Sequence, residues 1–214
     1  MNTKFALLCA SVALIPIAQA DIIHFDSVGL NNIESISSNG GSTFGNFYVG
    51  QLNFTDQTTS TALTTYCVDT AHDISFGNQW NTQIALSNTL GDPSLDRAAA
   101  IISADFGAAN TNDKAAGLQI AVWAAIYDNS GNLATDLSTG VFQAQGLSAG
   151  VMSAANAYYA DRNGPGVAKY FGFGQNADGA WTGGQAQMSP VPEPASLATL
   201  ALGAGALLRR RRNR

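Results

Sequence analysis

The stretch Asp113-Lys-Ala-Ala-Gly-Leu-Gln-Ile-Ala-Val-Trp-Ala-Ala-Ile-Tyr127 decides the fold class that this sequence predicts. Its apolar side chains recur at helical spacing, on the face formed by Leu118, Val122, Ala125 and Ile126. The turn residues Asp128-Asn-Ser-Gly131 follow directly and end the pattern. We therefore expect a helix over residues 113–127, in the middle of the chain.

Two further helices are expected around it. The first runs from Leu95 to Phe106, because Asp92-Pro93 is a helix-start signal and Gly107 is a stop signal. The second runs from about Ser148 to Asp161, where a Gly-Pro-Gly turn follows.

Segments typical of strands lie on both sides of this helical region. They alternate apolar with polar residues or are rich in β-branched and Gly residues, and they cover residues 22–26, 43–54, 62–69, 166–174 and 179–189. The order of strands, about three helices, and strands predicts an α+β fold rather than an alternating βαβ fold. The strands would form a sandwich or a barrel-like sheet.

The first 20 residues predict a secretory signal peptide. Lys4 provides the positive charge, Phe5 to Ile17 is the apolar region, and Ala18-Gln19-Ala20 is a small-x-small cleavage site. The mature chain is expected to begin at Asp21, and the prediction therefore places the protein outside the inner membrane.

The segment 191–214 predicts a membrane sorting tail. Pro192-Glu193-Pro194 keeps the chain extended, the apolar stretch 195–208 predicts a transmembrane helix, and the arginine-rich end 209–214 holds its terminus on the cytoplasmic side. The arginines that act as the stop are Arg209, Arg210, Arg211 and Arg212. The apolar stretch reaches only about 21 Å, against roughly 30 Å of hydrocarbon, so the anchor is marginal.

This arrangement resembles the PEP-CTERM sorting signal of Gram-negative, often biofilm-forming bacteria. The resemblance implies processing near Pro192-Glu193-Pro194 by exosortase, a membrane protease-transpeptidase. It also implies delivery to the cell envelope, the cell surface or the extracellular matrix.

One secreted domain over residues 21–175, with a linker over 176–190, is expected between the two signals. Four basic and 14 acidic residues remain between them, so this region carries a net charge of about −10. Such a charge excludes nucleic acid as a natural partner, because phosphate binding needs clustered Lys and Arg. The domain has two histidines and a single cysteine, Cys67, and the sequence predicts neither a metal site nor a cofactor.

Two segments carry the candidate chemistry. They are Thr65-Tyr66-Cys67-Val68-Asp69, at a predicted strand end, and Leu118-Gln119-Ile120-Ala121-Val122-Trp123, on the predicted middle helix. Together they resemble the thioester domains of bacterial surface adhesins. The resemblance implies that Cys67 and Gln119 condense, with loss of ammonia, into an internal thioester. Tyr66 and Trp123 match aromatic residues that surround it.

The resemblance implies a covalent adhesin that bonds once to an extracellular amine or hydroxyl, on a protein or a polysaccharide, and that is not a turnover enzyme. His72 is a candidate to assist the thioester. Two other interpretations stay open: a passive matrix or biofilm protein in which Cys67 is buried and inert, and a small hydrolase that uses Cys67 and His72. Gln119 and Trp123 also lie at i and i+4, which an ordinary core helix would explain.

Overall fold

The computed structural model describes residues 21–173 and 184–191. Its seven strands are β1 (Asp21–Ser37), β2 (Gly45–Asp56), β3 (Thr61–Cys67), β4 (Gln79–Leu86), β5 (Gln143–Gln145), β6 (Ala168–Phe173) and β7 (Gln187–Pro190). Its four α-helices are α1 (Pro93–Asp105), α2 (Asn112–Tyr127), α3 (Leu133–Thr139) and α4 (Ala149–Tyr159). Strands on either side of a helical region confirm the predicted α+β class.

The sheet closes on itself. All pairings are antiparallel, in the order β2-β3-β7-β6-β4-β1-β5, and β2 pairs back to β1. The long strand β1 makes this possible, because it pairs with β2 along its length, with β4 at its start and with β5 at its end. Of the two predicted arrangements, the chain thus forms a six-stranded barrel, extended by β5.

Two apolar cores follow from this closure. One cluster unites strand side chains and consists of Ile23, Phe25, Leu52, Phe54, Trp80 and Phe171. The other joins strands to the helices and is centred on α2, whose residues 115–125 are all buried. A helix that is buried on every side belongs in the middle of a domain. The close packing of α2 against α4 depends on Gly117, where an added Cβ would lie 2.6 Å from the Cβ of Ala154 on α4.

Helix starts follow the local capping signals. The Asp92 carboxylate accepts a hydrogen bond from the backbone N–H of Ser94 at 2.8 Å, and the Thr111 hydroxyl accepts from Lys114. The helix α3 is an addition to the three predicted helices. Four of its seven residues, Thr135, Asp136, Ser138 and Thr139, have lower helix propensity than Leu or Ala, and the Asn132 cap together with burial of Leu133 and Leu137 stabilises it.

The predicted linker over residues 176–190 overlaps the predicted strand over 179–189, and at the end of this segment the structure has a strand. Gln187–Pro190 form β7, which lies between β3 and β6 and contains the fully buried Met188. A linker was also expected here because small and polar residues such as Gln and Ser occupy these positions, and their strand partners are distant in the chain. The signal peptide, the helix 195–208 and the arginine cluster lie outside the described residues. Within the described ranges, no helix has the length and apolar character that crossing a membrane requires.

Candidate functional site

The site lies where the pairing between β2 and β3 ends. Strands β2 and β3 pair from Asp56↔Thr61 to Leu52↔Thr65, a register that, continued, would set Gly50 opposite Cys67. Gly50 instead pairs with Asn31 of β1, at a φ of 145° that favours glycine. The backbone N–H and C=O groups of Cys67, which point towards β2, therefore have no hydrogen-bond partner on that strand.

Gln119 takes the place of that missing peptide group. Its Oε1 accepts a hydrogen bond from the Cys67 backbone N–H at 2.8 Å, and its Nε2 donates to the Cys67 carbonyl at 2.7 Å. Gln119 is 1% exposed and Cys67 is 3% exposed. A buried carboxamide is thus held against the cysteine by two hydrogen bonds, across 52 residues of sequence.

The sulfur of Cys67 has its own contacts. The Cys67 thiol donates to the Asp69 carbonyl at 2.8 Å, and the sulfur accepts from the Asp69 backbone N–H at 3.3 Å. Burial raises the pKa of the thiol well above its usual range, and the nearby Asp69 and Asp73 charges raise it further. At neutral pH the isolated thiol is therefore protonated.

Trp123 lies one helical turn after Gln119 and borders the same pair. Its indole N–H is buried and meets no acceptor at hydrogen-bonding geometry. Its interaction with the Cys67 sulfur still favours the thiolate and lowers the pKa of the thiol, against the larger effect of burial. Its ring packs at a tilt on Phe142, with centroids 5.4 Å apart, which fixes the indole in place.

The loop after β3 is ordered by Asp69. Its Oδ1 accepts from the Ala71 backbone N–H at 2.8 Å, and its Oδ2 lies 2.7 Å from Nδ1 of His72. The next peptide group is held from α2, because the Thr70 N–H donates to the Tyr127 hydroxyl at 3.0 Å. His72 and Cys67, the two residues of the hydrolase interpretation, thus both contact Asp69. His72 contacts its carboxylate and Cys67 contacts its backbone.

A cleft of about 370 Å³ leads to the pair. Its buried residues include Cys67, Gln119 and Trp123, whereas Tyr48 and Phe76 at its rim are 57% and 61% exposed. Its other aromatic lining residues are Phe25, Phe44 and Phe47. Solvent and solutes can therefore approach the Cys67–Gln119 contact from one side.

The predicted site residues are distributed as follows. The structure brings Cys67, Gln119 and Trp123 together at the cleft. Tyr66 instead points into the core, is fully buried, and meets Phe106 edge-on at 5.9 Å. Its position next to Cys67 on a strand explains this, because successive strand side chains point to opposite faces.

Sequence reasoning did not place two polar residues of the loop after β3, Thr70 and Asp73, at the cleft. Polar residues in a loop give no signal of their own, since only the closure of the barrel determines which of them face Gln119. Among residues 21–173 and 184–191, no group of three or more His, Cys, Asp or Glu side chains could hold a metal ion.

The comparisons with known proteins concern the end of the chain. Residues 190–212 match the PEP-CTERM protein-sorting motif. The chain carries a PEP-CTERM sorting signal. This signal implies export, exosortase as the processing partner, and a location in the cell envelope or at the surface. The match begins at Pro190, the last residue of β7, so the sorting signal follows the barrel wall directly. No curated protein and no solved structure matches the chain.

Proposed function

We propose that this exported PEP-CTERM protein is a covalent adhesin, whose Cys67 and Gln119 form an internal thioester that acylates a partner. The observation that carries the proposal is the clamp on Gln119, whose carboxamide is bound at both ends by the Cys67 peptide groups, at 2.8 and 2.7 Å. Holding two reacting groups together removes much of the entropic barrier to their condensation.

The clamp also suits the chemistry of the step. The Cys67 sulfur attacks Cδ of Gln119, and the negative charge that develops on Oε1 meets the Cys67 N–H, which already donates to that oxygen. The C–N bond then breaks and the nitrogen leaves as ammonia, taking the thiol proton with it. The product is an acyl group on sulfur, with no oxidant or cofactor needed.

Burial acts on this reaction in two directions. It raises the pKa of the Cys67 thiol, which slows formation of the thiolate. It also protects the finished thioester, because Gln119 is 1% exposed and water can approach it only from the side of the cleft. Formation would accordingly be slow and the product long-lived, as a single-use bond in an exported protein requires.

A passive matrix protein is the second candidate, and the same contacts favour it. Two satisfied hydrogen bonds and a buried thiol are also what a purely structural pin between β3 and α2 would have. The Cys67–His72 hydrolase has less support, because the Cys67 thiol donates to the Asp69 carbonyl rather than to an imidazole and His72 is not among the described residues that line the cleft.

A biotinylated primary amine separates these functions. Incubated with the purified protein, it should label Gln119 covalently, and Cys67→Ala and Gln119→Ala should each abolish labelling while His72→Ala retains it. An unlabelled wild-type protein that still assembles normally would establish the passive role. Continued turnover of a nitrophenyl ester, lost in both Cys67→Ala and His72→Ala, would establish the hydrolase.

A further inference from the structure

The cleft that leads to Cys67 and Gln119 has one charged side chain among its described lining residues, Asp73. Asp73 is exposed and its charge acts on the Cys67 sulfur. The neighbouring carboxylate of Asp69 is already bonded to Ala71 and His72. A nucleophile that enters the cleft therefore meets one carboxylate that can accept its proton.

We propose that Asp73 is the general base for attack on the thioester by a hydroxyl group, and that the acceptor is a neutral polyol or saccharide. This inference rests on the proposed thioester. An alcohol is too weak an acid and too weak a nucleophile to react quickly without a base, and positioned carboxylates serve in that role. A neutral amine already has an available lone pair, so a general base accelerates its attack much less.

The lining of the cleft fits such an acceptor. The exposed rings of Phe47, Tyr48 and Phe76 offer flat apolar surfaces for the C–H faces of a sugar ring. Neutral polar side chains provide hydrogen-bond donors and acceptors for its hydroxyls; they include Ser38, Asn39, Thr43 and Gln185. An anionic acceptor is disfavoured, because no described lining residue is cationic.

The step balances without a further reagent. The acceptor oxygen attacks Cδ of Gln119 while its proton moves to the Asp73 carboxylate. The tetrahedral intermediate then collapses, the C–S bond breaks, and the Cys67 sulfur leaves with the bonding electrons. Asp73 returns the proton to that sulfur, which leaves an ester at Gln119 and a thiol at Cys67.

Glycerol and methylamine, each added to the purified protein, test the inference through the masses of their adducts. In Asp73→Asn the rate of ester formation with glycerol should fall by about 100-fold or more, the usual contribution of a general base. The rate with methylamine should stay within roughly threefold of wild type, as expected without base catalysis. Asp96→Asn, at an exposed position on α1 outside the cleft, is the matched control and should leave both rates unchanged.

The outcomes separate this inference from the function on which it rests. A wild-type mass without the loss of ammonia overturns the thioester, and the role of Asp73 with it. A thioester that yields methylamide but no glycerol ester overturns both the hydroxyl acceptor and the role of Asp73, and leaves the thioester itself standing. An unchanged glycerol rate in Asp73→Asn, or an equal fall in both rates, overturns the base.

Discussion

Replacing Gln119 by Leu tests whether its carboxamide substitutes for a strand peptide at Cys67. The variant is best made in a Cys67→Ala background, where no thioester can form and the backbone N–H and C=O of residue 67 remain. Leucine has nearly the volume of glutamine but leaves both groups without a partner. Each buried, unpaired group costs about 1–3 kcal/mol, or roughly 2–6 kcal/mol together.

Burial of the apolar leucine side chain offsets roughly 1–2 kcal/mol of that loss, so a net destabilisation of about 1–4 kcal/mol is expected. This is a large share of the roughly 5–15 kcal/mol by which domains are stable. Urea unfolding followed by tryptophan fluorescence measures it directly.

The matched control is Gln51→Leu in the same background. Gln51 is half-buried and donates one hydrogen bond, to the Ala109 carbonyl at 3.2 Å, so its replacement leaves one group unpaired instead of two and should cost at most about half as much. Equal losses of unfolding free energy in the two variants would refute the interpretation that the Gln119 carboxamide takes the place of a strand peptide group.

Three further predictions concern packing and titration. Gly117→Ala should destabilise the fold by about 1–3 kcal/mol in thermal unfolding, because the new Cβ meets Ala154, whereas Gly107→Ala, which meets no atom within 4 Å, should not. Burial and the Asp161 charge raise the pKa of Asp105 to about 6, so the wild-type free energy of unfolding should fall as the pH rises from about 4 to about 6. In Asp105→Asn that decline should be smaller in urea titrations at each pH, and an identical decline would contradict the shift. Once the thioester is opened, alkylation of Cys67 by iodoacetamide should rise about tenfold per pH unit above neutrality, because burial raises the pKa of its thiol; a plateau near pH 7 would contradict this.

Local signals predicted the helices well. Asp92-Pro93 and the spacing of Leu118 and Val122 act within a few residues of the helices they define, so α1, α2 and α4 were expected within a few residues of their bounds. The short helix α3 was missed, because burial rather than propensity stabilises it.

Long-range pairing explains what the sequence could not predict. A strand was expected over residues 179–189, but its place between β3 and β6 depends on partners more than a hundred and about twenty residues away respectively, which local sequence does not reveal. The proximity of Cys67 and Gln119 was expected from a family resemblance, not from spacing. Only the structure shows that Gln119 occupies the place of Gly50 in the strand ladder, and that Asp73 lines the cleft.

The intact mass of the purified protein, measured before and after methylamine treatment, tests the central claim most directly. The account predicts a mass below the value expected from the mature sequence by one ammonia, followed by addition of methylamine at Gln119 and release of a titratable thiol at Cys67. A mass equal to the sequence value, unchanged by methylamine, would contradict the thioester and leave the Cys67–Gln119 contact as a structural pin.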